Sequence, residues 1–452
     1  MSVFPFVEHR GNSLMVACVL IAVAIKYRAT HTCVIAFALA VVVVGASGAQ
    51  VAWQYASTSS LGLYRGPAIL RSDPEPFFGG QRVVLELSDE RFETIAYGSS
   101  GRRLRARMMG ETVWVDGTRA SVRPDRVKWL APRHVVGTLA LTSVSEQWSF
   151  GSPLYRSANR IRRVLIDSAE VMPDSEASLY LGLIIGDDRN QPESMRGAFR
   201  AAGLSHLVAV SGQNVAFVLI ALSPLLRRLK TWWRLSATLG ALGWFVLLTR
   251  IEPSVLRAAT MAALGAFGFA CGLKVSPLNL LACAVLVLIG IDPMLVWSVG
   301  FLMSVGATAG LVAIAPQLSR QFSQGGMPMW LAQPLSITLG AQLGVMPVSV
   351  MVFDSAPVIG IVANLLAVPV AGFVMLVGLP LGLLSAVLPD QVIGVVMSPM
   401  VLAVRWVWWV AVLAEKVSPH GLLNVALWMA LVFCGVLRWW RNRRRCAIGL
   451  PA

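Results

Sequence analysis

The stretch LGLIIGDDRNQPESMRGAFRAAGLSHLVAVSGQNVAFVLIA, residues 181–221, places Ser211-Gly212-Gln213-Asn214 in the middle of an apolar run. Polar side chains at membrane depth are costly unless they face protein or water. The run therefore reads as a span that unwinds locally to line a cavity. Gly186-Asp187-Asp188-Arg189 and an amphipathic piece, Pro192 to Ala202, lie ahead of it, and Gly203, Ser205 and His206 stand at its start.

Outward from this stretch the composition is that of a membrane protein. Hydrophobic residues make up 56% of the 452 and charged residues only 13%, with a mean hydropathy of +0.67. An average soluble domain carries roughly a quarter charged residues, so lipid must cover what charge does not. Beyond residue 200, apolar runs predict spans near 205–224, 235–250, 253–273, 276–291, 294–316, 331–352, 356–388, 391–414 and 420–438. The run 356–388 exceeds the ~20 residues of one span. With Asn364, Pro369, Gly372, Gly378 and Pro380 inside it, a broken or re-entrant element is expected. The implied fold class is a polytopic α-helical membrane protein with about 9–11 transmembrane or re-entrant helices.

Toward the N terminus, Leu14 to Ile25 and Thr32 to about Trp53 form a membrane hairpin with a basic turn at Lys26 and Arg28, within residues 1–58. A cleaved signal peptide is the competing reading of the first run. From 59 to 150 the chain is polar, Arg-rich and dense in turn signals such as Gly66-Pro67, Asp73-Pro74 and Asp116-Gly117. Short β-type runs at 81–88, 102–108, 112–115 and 135–141 suit an inserted small all-β, OB-like domain. Residues 151–204 hold amphipathic, interfacial helices. Leu154, Ala158, Ile161, Leu165 and Met172 recur at helical spacing, which predicts an amphipathic helix lying at the membrane interface or against the bundle, with Arg156, Arg160 and Arg163 off that stripe for lipid headgroups. A polytopic domain occupies 205–440 and a basic tail 441–452.

Lys+Arg 38 against Asp+Glu 23 gives a net charge of +15. An anionic cargo and the positive-inside rule both account for such an excess. Residues 201–452 hold 15 basic and five acidic residues, which is +10 of the +15. Arg227-Arg228-Lys230-Arg234, Lys274, Arg320 and Arg438 to Arg445 alternate with Glu252, Asp292 and Asp354. This pattern puts the basic loops and C terminus in the cytoplasm, and the acidic loops and OB-like domain outside. Topology thus absorbs most of the charge. Arg102, Arg103, Arg105 and Arg107 remain as the best electrostatic support for a nucleic-acid partner. On a strand, 103, 105 and 107 share one face, either to meet phosphates or to guard a solvated edge strand.

None of the six cysteines (Cys18, Cys33, Cys271, Cys283, Cys434, Cys446) shows CxxC spacing. The five histidines (His9, His31, His134, His206, His420) are too scattered for an HxH or HExxH site, and no GxxxxGK[ST] loop occurs. Neither a zinc site nor a disulfide framework nor an internal ATPase of that class is indicated, and no cofactor is expected.

Together these segments resemble the ComEC-type competence family of inner-membrane DNA-uptake channels. The resemblance rests on GLSHLVAVSGQNVAFV (203–218) with GDDR and FRAAG ahead of it, PSVLRAATMAAL (253–264), IDPMLVWSVGFLMSVGATAGL (291–311) and GVMPVSVMVFDSAPVIGIVANLLAVPV (344–370). The order of hairpin, OB-like domain and polytopic domain also fits. It implies a channel passing single-stranded DNA across the bacterial cytoplasmic membrane during natural transformation. The OB-like domain, with Arg102, Arg103, Arg105 and Arg107, would present basic and aromatic groups to the strand. His206, Ser211, Gln213, Asn214, Arg257, Gln342 and Asn364 would line the route. The implied partners are single-stranded DNA, the lipid bilayer, a cytosolic ATPase and the DNA-receptor proteins of the uptake machinery.

Two departures stand out. Gln213-Asn214 occupies the place where family members often have Leu-His, which keeps hydrogen bonding but removes a titratable group. Many relatives also carry a C-terminal metallo-β-lactamase-like domain, and here strand degradation is expected from another protein. Each candidate has a plainer use as well. His206 and the amides also suit interhelical hydrogen bonds, and Arg257, four residues after Pro253, is placed to snorkel. Arg405 among Trp406, Trp408 and Trp409 reads as an interface anchor. The rival functions are transport of another anionic polymer or solute, and an intramembrane enzyme using His206 with Asp187 or Asp188.

Overall fold

The computed structural model describes residues 61–208, 211–353 and 357–419, with isolated positions on either side. The expected N-terminal hairpin, the 441–452 tail, Asp354, His9, His31, His420, four of the cysteines and most of the 420–438 span lie outside the described residues.

Strands β1 (Gly62–Leu70), β2 (Glu75–Phe77), β3 (Gly80–Leu87), β4 (Glu90–Ala96), β5 (Thr112–Ser121) and β6 (Val135–Ser149) form one sheet. Its order is β1-β5-β6-β4-β3-β2, and an added β1–β3 pairing closes the ring. All pairings are antiparallel except β4 with β6. The alternation seen in the sequence is the inward face: Leu70, Val83, Leu85, Leu87, Phe92, Val115 and Leu139 fill the interior. A closed ring of this size with a helix across one end is OB-like.

That helix corrects one expectation. Gly98–Arg105 is α1, not a strand, and Arg107 follows it in a turn. The alternation of Arg with Leu and Ala mimics a period of two. Burial instead falls on Gly101, Leu104 and Met108, the three- and four-residue spacing of a helix face. Leu104 plugs the barrel, which turns the arginines outward.

A short α2 (Val127–Leu130) precedes β6. Then come α3 (Pro153–Ala169), α4 (Asp174–Ile185), α5 (Glu193–Ala201), α6 (Ser205–Val208), α7 (Gly212–Leu226), α8 (Thr231–Leu248), α9 (Pro253–Ala270) and α10 (Pro277–Ile291). The remaining helices are α11 (Val299–Ala313), α12 (Ala315–Gln324), α13 (Met329–Phe353), α14 (Gly360–Ser385) and α15 (Asp390–Val417). Among the described residues, five helical stretches are long and apolar enough to cross a membrane: α9, 299–324, α13, α14 and most of α15. Two apolar helices, α7 and α10, are shorter.

The 356–388 run is not broken. α14 is one helix of 26 residues, about 39 Å long at 1.5 Å per residue. Its Gly360, Ala363, Ala367, Ala371, Gly378 and Gly382 lie on the buried face. Tyr180 packs against Gly378 and Gly382, and Phe217 against Gly372. The small residues that suggested a break serve close helix packing instead. The same logic joins α11 to α13, where Gly306 and Gly310 meet Gly344 and Gly340 backbone to backbone.

α3 is not merely interfacial. Its buried face is Ala158, Asn159, Arg162, Leu165, Ser168 and Ala169, and it packs on α8, α14 and α4. Helices α8, α9 and α10 run back and forth on short loops. Lys230 and Lys274 therefore lie at one end, and Arg250, Glu252 and Asp292 at the other. The barrel docks on this second end, through Asp73 to Arg250 and His134 to Asp292.

Candidate nucleic-acid interface and membrane path

The Gly-Asp-Asp-Arg motif closes a joint between barrel and bundle. Gly186 caps α4 in the left-handed region (φ 68°), with its N–H on the Gly182 carbonyl and that of Asp187 on Leu181. Only a residue without Cβ adopts this turn cheaply, and it aims Asp187 back at α3. There Arg162, 1% exposed, donates to the carbonyls of Ile185 and Leu248, both at 3.0 Å, and to Asp187 at 3.1 Å. Asp73, from the β1–β2 loop, lies 3.2 Å from the same guanidinium. Arg189 grips Asp187 through Nε at 2.7 Å and Nη2 at 2.5 Å. Arg250 donates to Asp73 at 2.7 Å and to Asn159 at 2.8 Å.

Burial by itself would raise both carboxyls. For Asp73 the nearby Arg250, Arg162 and Arg189 outweigh it and hold the group well below the ordinary carboxylate range. For Asp187 the same is done by Arg189 and then Arg162. Burial, reinforced by Arg250, lowers Arg162 to about 10, so it stays charged at neutral pH. An aspartate held this way is a poor general base. Asp188 is exposed, and its carbonyl accepts from Arg196 at 2.7 Å.

On the barrel, the four sequence-predicted arginines separate. Arg103 is spent on the Val144 carbonyl and Glu146. Arg102 and Arg105 are exposed and make no ion pair among the described residues. Arg107 lies 4.1 Å over the Trp148 ring. Trp148 packs edge-on against Phe150 at 4.5 Å, and Arg156 of α3 lies 5.4 Å from Phe150. Arginine interleaved with aromatic rings is the chemistry of a stacking platform for single strands. The sequence reading missed Trp148 and Phe150. The signal was Trp and Phe at a strand end, followed six residues on by Arg156 in the first turn of α3. By contrast, the arginines on and around β3 and β4 are neutralised: Arg71 and Arg91 meet Glu86, Arg82 meets Glu75, and Arg126 meets Glu93.

In the membrane half the predicted residues fall into two groups. Ser211 is extended (φ −102°, ψ 162°) as the cap just ahead of α7. Asn214 is buried and donates to the Leu183 carbonyl at 3.2 Å, while Ser211 Oγ donates to Asn214 Oδ1 at 3.3 Å. Gln213 is exposed. Arg257, 6% exposed, donates through Nε to Ser304 at 2.7 Å and through Nη1 to Met261 Sδ at 3.3 Å. A Cβ at Gly212 would lie 2.6 Å from its Nη2, so Gly212 makes room for the guanidinium. In the second group, Gln342 reaches Gly360, which touches Gly203, and Asn364 follows one turn along α14. The side-chain oxygens of Gln342 and Asn364 are buried without a hydrogen-bond partner among the described residues. Ser205 and His206 are exposed on α6, with His206 hydrogen-bonded to the backbone of Gly203 beside the second group. Arg405, read as an interface anchor, also pairs with buried Glu176, at 2.9 and 2.6 Å.

A multi-pass membrane protein with a small barrel docked on one end, and a few polar groups buried between its helices, is what these features define. The chain belongs to the competence protein family, which matches residues 183–443. It is similar to ComE operon protein 3 of Bacillus subtilis (strain 168), 24% identical over 262 residues that cover 58% of this chain and 33% of that protein. It is also similar to competence protein ComA of Neisseria gonorrhoeae, 28% identical over 56% of this chain and 37% of that protein. A third relative is the uncharacterized protein YcaI of Escherichia coli (strain K12), 26% identical over 44% and 28% of the two chains. The chain thus spans about a third of the length of the curated relatives it matches. No solved structure matches.

Proposed function

We propose that this protein is a channel for DNA uptake, passing single-stranded DNA across the cytoplasmic membrane during natural transformation. The observation that carries the reading is the competence-family match over 183–443, a region that includes Asn214, Arg257, Gln342 and Asn364. The barrel's unpaired arginines and its Trp148–Phe150 pair support a receiving surface for the strand. Glu252 and Asp292 at the barrel end, and the basic loops at the other, support an external barrel under the positive-inside rule. The proposed partners are a cytosolic ATPase to pull the strand and a DNA receptor to deliver it.

The test is deletion of the gene, followed by labelled duplex DNA offered to competent cells. The expected result is loss of label resistant to external nuclease, with surface-bound label retained. Normal entry of label into the cytosol refutes the assignment.

A further inference from the structure

We infer that the N terminus of α7 and the guanidinium of Arg257 together form a phosphate-binding site within the membrane half, which holds a phosphodiester of the passing strand. The inference rests on the channel reading for the identity of the anion, but not for the existence of the site.

Two positive features meet here. α7 is a 15-residue helix whose N-cap, Ser211, gives no side-chain hydrogen bond to its amides. Ser211 Oγ is turned to Asn214 Oδ1 instead. Asn214 N–H already donates to the Ser211 carbonyl at 3.1 Å, which leaves the amides of Gly212 and Gln213 as the open donors of this helix start among the described residues, and the aligned peptide dipoles place about +0.5 charge there. Gly212, the first helical residue, abuts Arg257 Nη2. Arg257 is 94% removed from solvent contact, as its 6% exposure states. Its Nε and Nη1 have neutral partners, Ser304 and Met261. Its Nη2 donates to nothing among the described residues, and no carboxylate there pairs with it.

The contrast with the chain's other buried arginine is instructive. Arg162 sits between Asp73 and Asp187, as buried charges generally must. Arg257 has no such counter-charge among the described residues, although it lies in a membrane-length helix, where an unpaired charge is most costly. A cation and a helix N terminus in contact repel each other until an anion bridges them. Helix N termini bind phosphate through backbone N–H groups, and arginine presents parallel donors to phosphate oxygens. Gly212 is needed because any Cβ would strike the guanidinium.

The test uses the full chain in lipid-free detergent, with thermal unfolding followed by tryptophan fluorescence. Inorganic phosphate replaces chloride at constant ionic strength. At phosphate about tenfold above its dissociation constant, the wild-type midpoint is expected to rise by about 3–6 °C. Arg257→Gln should remove that rise, and Gly212→Ala, which leaves every charge in place, should reduce it. If Arg257→Gln does not fold, wild type and Gly212→Ala decide. A short oligothymidylate should reproduce the shift.

A wild-type midpoint indifferent to phosphate, or a rise retained in Arg257→Gln, overturns the site. A rise with phosphatidylglycerol but not with oligothymidylate assigns the site to a lipid headgroup and overturns the strand contact. Gene deletion without effect on uptake would sink the channel reading alone, because the phosphate shift does not depend on transport.

Discussion

Replacing Arg162 with methionine isolates the joint between barrel and bundle. The substitution keeps the aliphatic bulk of the side chain but deletes the guanidinium. Two carbonyls, Ile185 and Leu248, each lose a charged donor at 3.0 Å, and hydrogen bonds to charged groups contribute about 1.5–3 kcal/mol apiece. Asp73 keeps Arg250 and Asp187 keeps Arg189, so neither carboxylate is stripped bare. The sum, about 3–6 kcal/mol, agrees with the roughly 3–5 kcal/mol measured when one partner of a buried ion pair is removed. For a cooperative unit of about 150–250 residues, each kcal/mol moves the midpoint by about 2–4 °C. A fall of at least about 6 °C is therefore expected in thermal unfolding of the detergent-solubilised chain. A double-mutant cycle with Asp73→Asn should show coupling of at least about 0.5 kcal/mol. A midpoint within 2 °C of wild type would refute the claim that this network ties the two parts together.

Acidification should weaken the same joint. Asp73 and Asp187 have folded-state values depressed below the ordinary 3.8, so their stabilisation is full above that value and is lost as the pH falls below it. The midpoint should drop more steeply between pH 5 and pH 3 in wild type than in Asp73→Asn, as seen in a pH series of melts. At the crossing of α11 and α13, Gly310→Ala places a Cβ on the Gly340 carbonyl, and backbone cannot rotate away. Gly243→Ala meets nothing within 4 Å and serves as control, with monodisperse yield in size-exclusion chromatography as the readout. On the barrel, Trp148→Ala in the full chain should weaken oligothymidylate binding by about 1–3 kcal/mol, the worth of one stacked base. Arg102→Gln with Arg105→Gln should lower the salt slope of log K by about 1.4, at roughly 0.7 per phosphate contact on a single strand.

Much of the architecture is local and was legible. Apolar runs marked α8, α9, α10, α13 and α15 to within a few residues, because a helix in lipid satisfies its own backbone and needs only length and apolarity. The runs at 81–88, 112–115 and 135–141 marked β3, β5 and β6. Two errors share one cause. The 102–108 segment looked like a strand and 356–388 looked broken, because local pattern was read without the partner surface. Leu104 finds the barrel interior, and the glycines of α14 find Tyr180 and Phe217.

By itself the sequence determined the membrane class, the inserted β domain, the family-bearing segments and the set of polar residues worth asking about. Only the tertiary structure decided what those residues face. Arg162 was hidden among headgroup arginines, yet it is neutralised by Asp73 from the barrel and Asp187 from the α4 turn. Arg405, read as an anchor, also pairs with Glu176. Arg257, in an equally apolar helix, meets Ser304, Met261 and Gly212 and no carboxylate among the described residues. Charge at membrane depth has meaning only with its partner, and the partners come from distant elements that no local periodicity encodes.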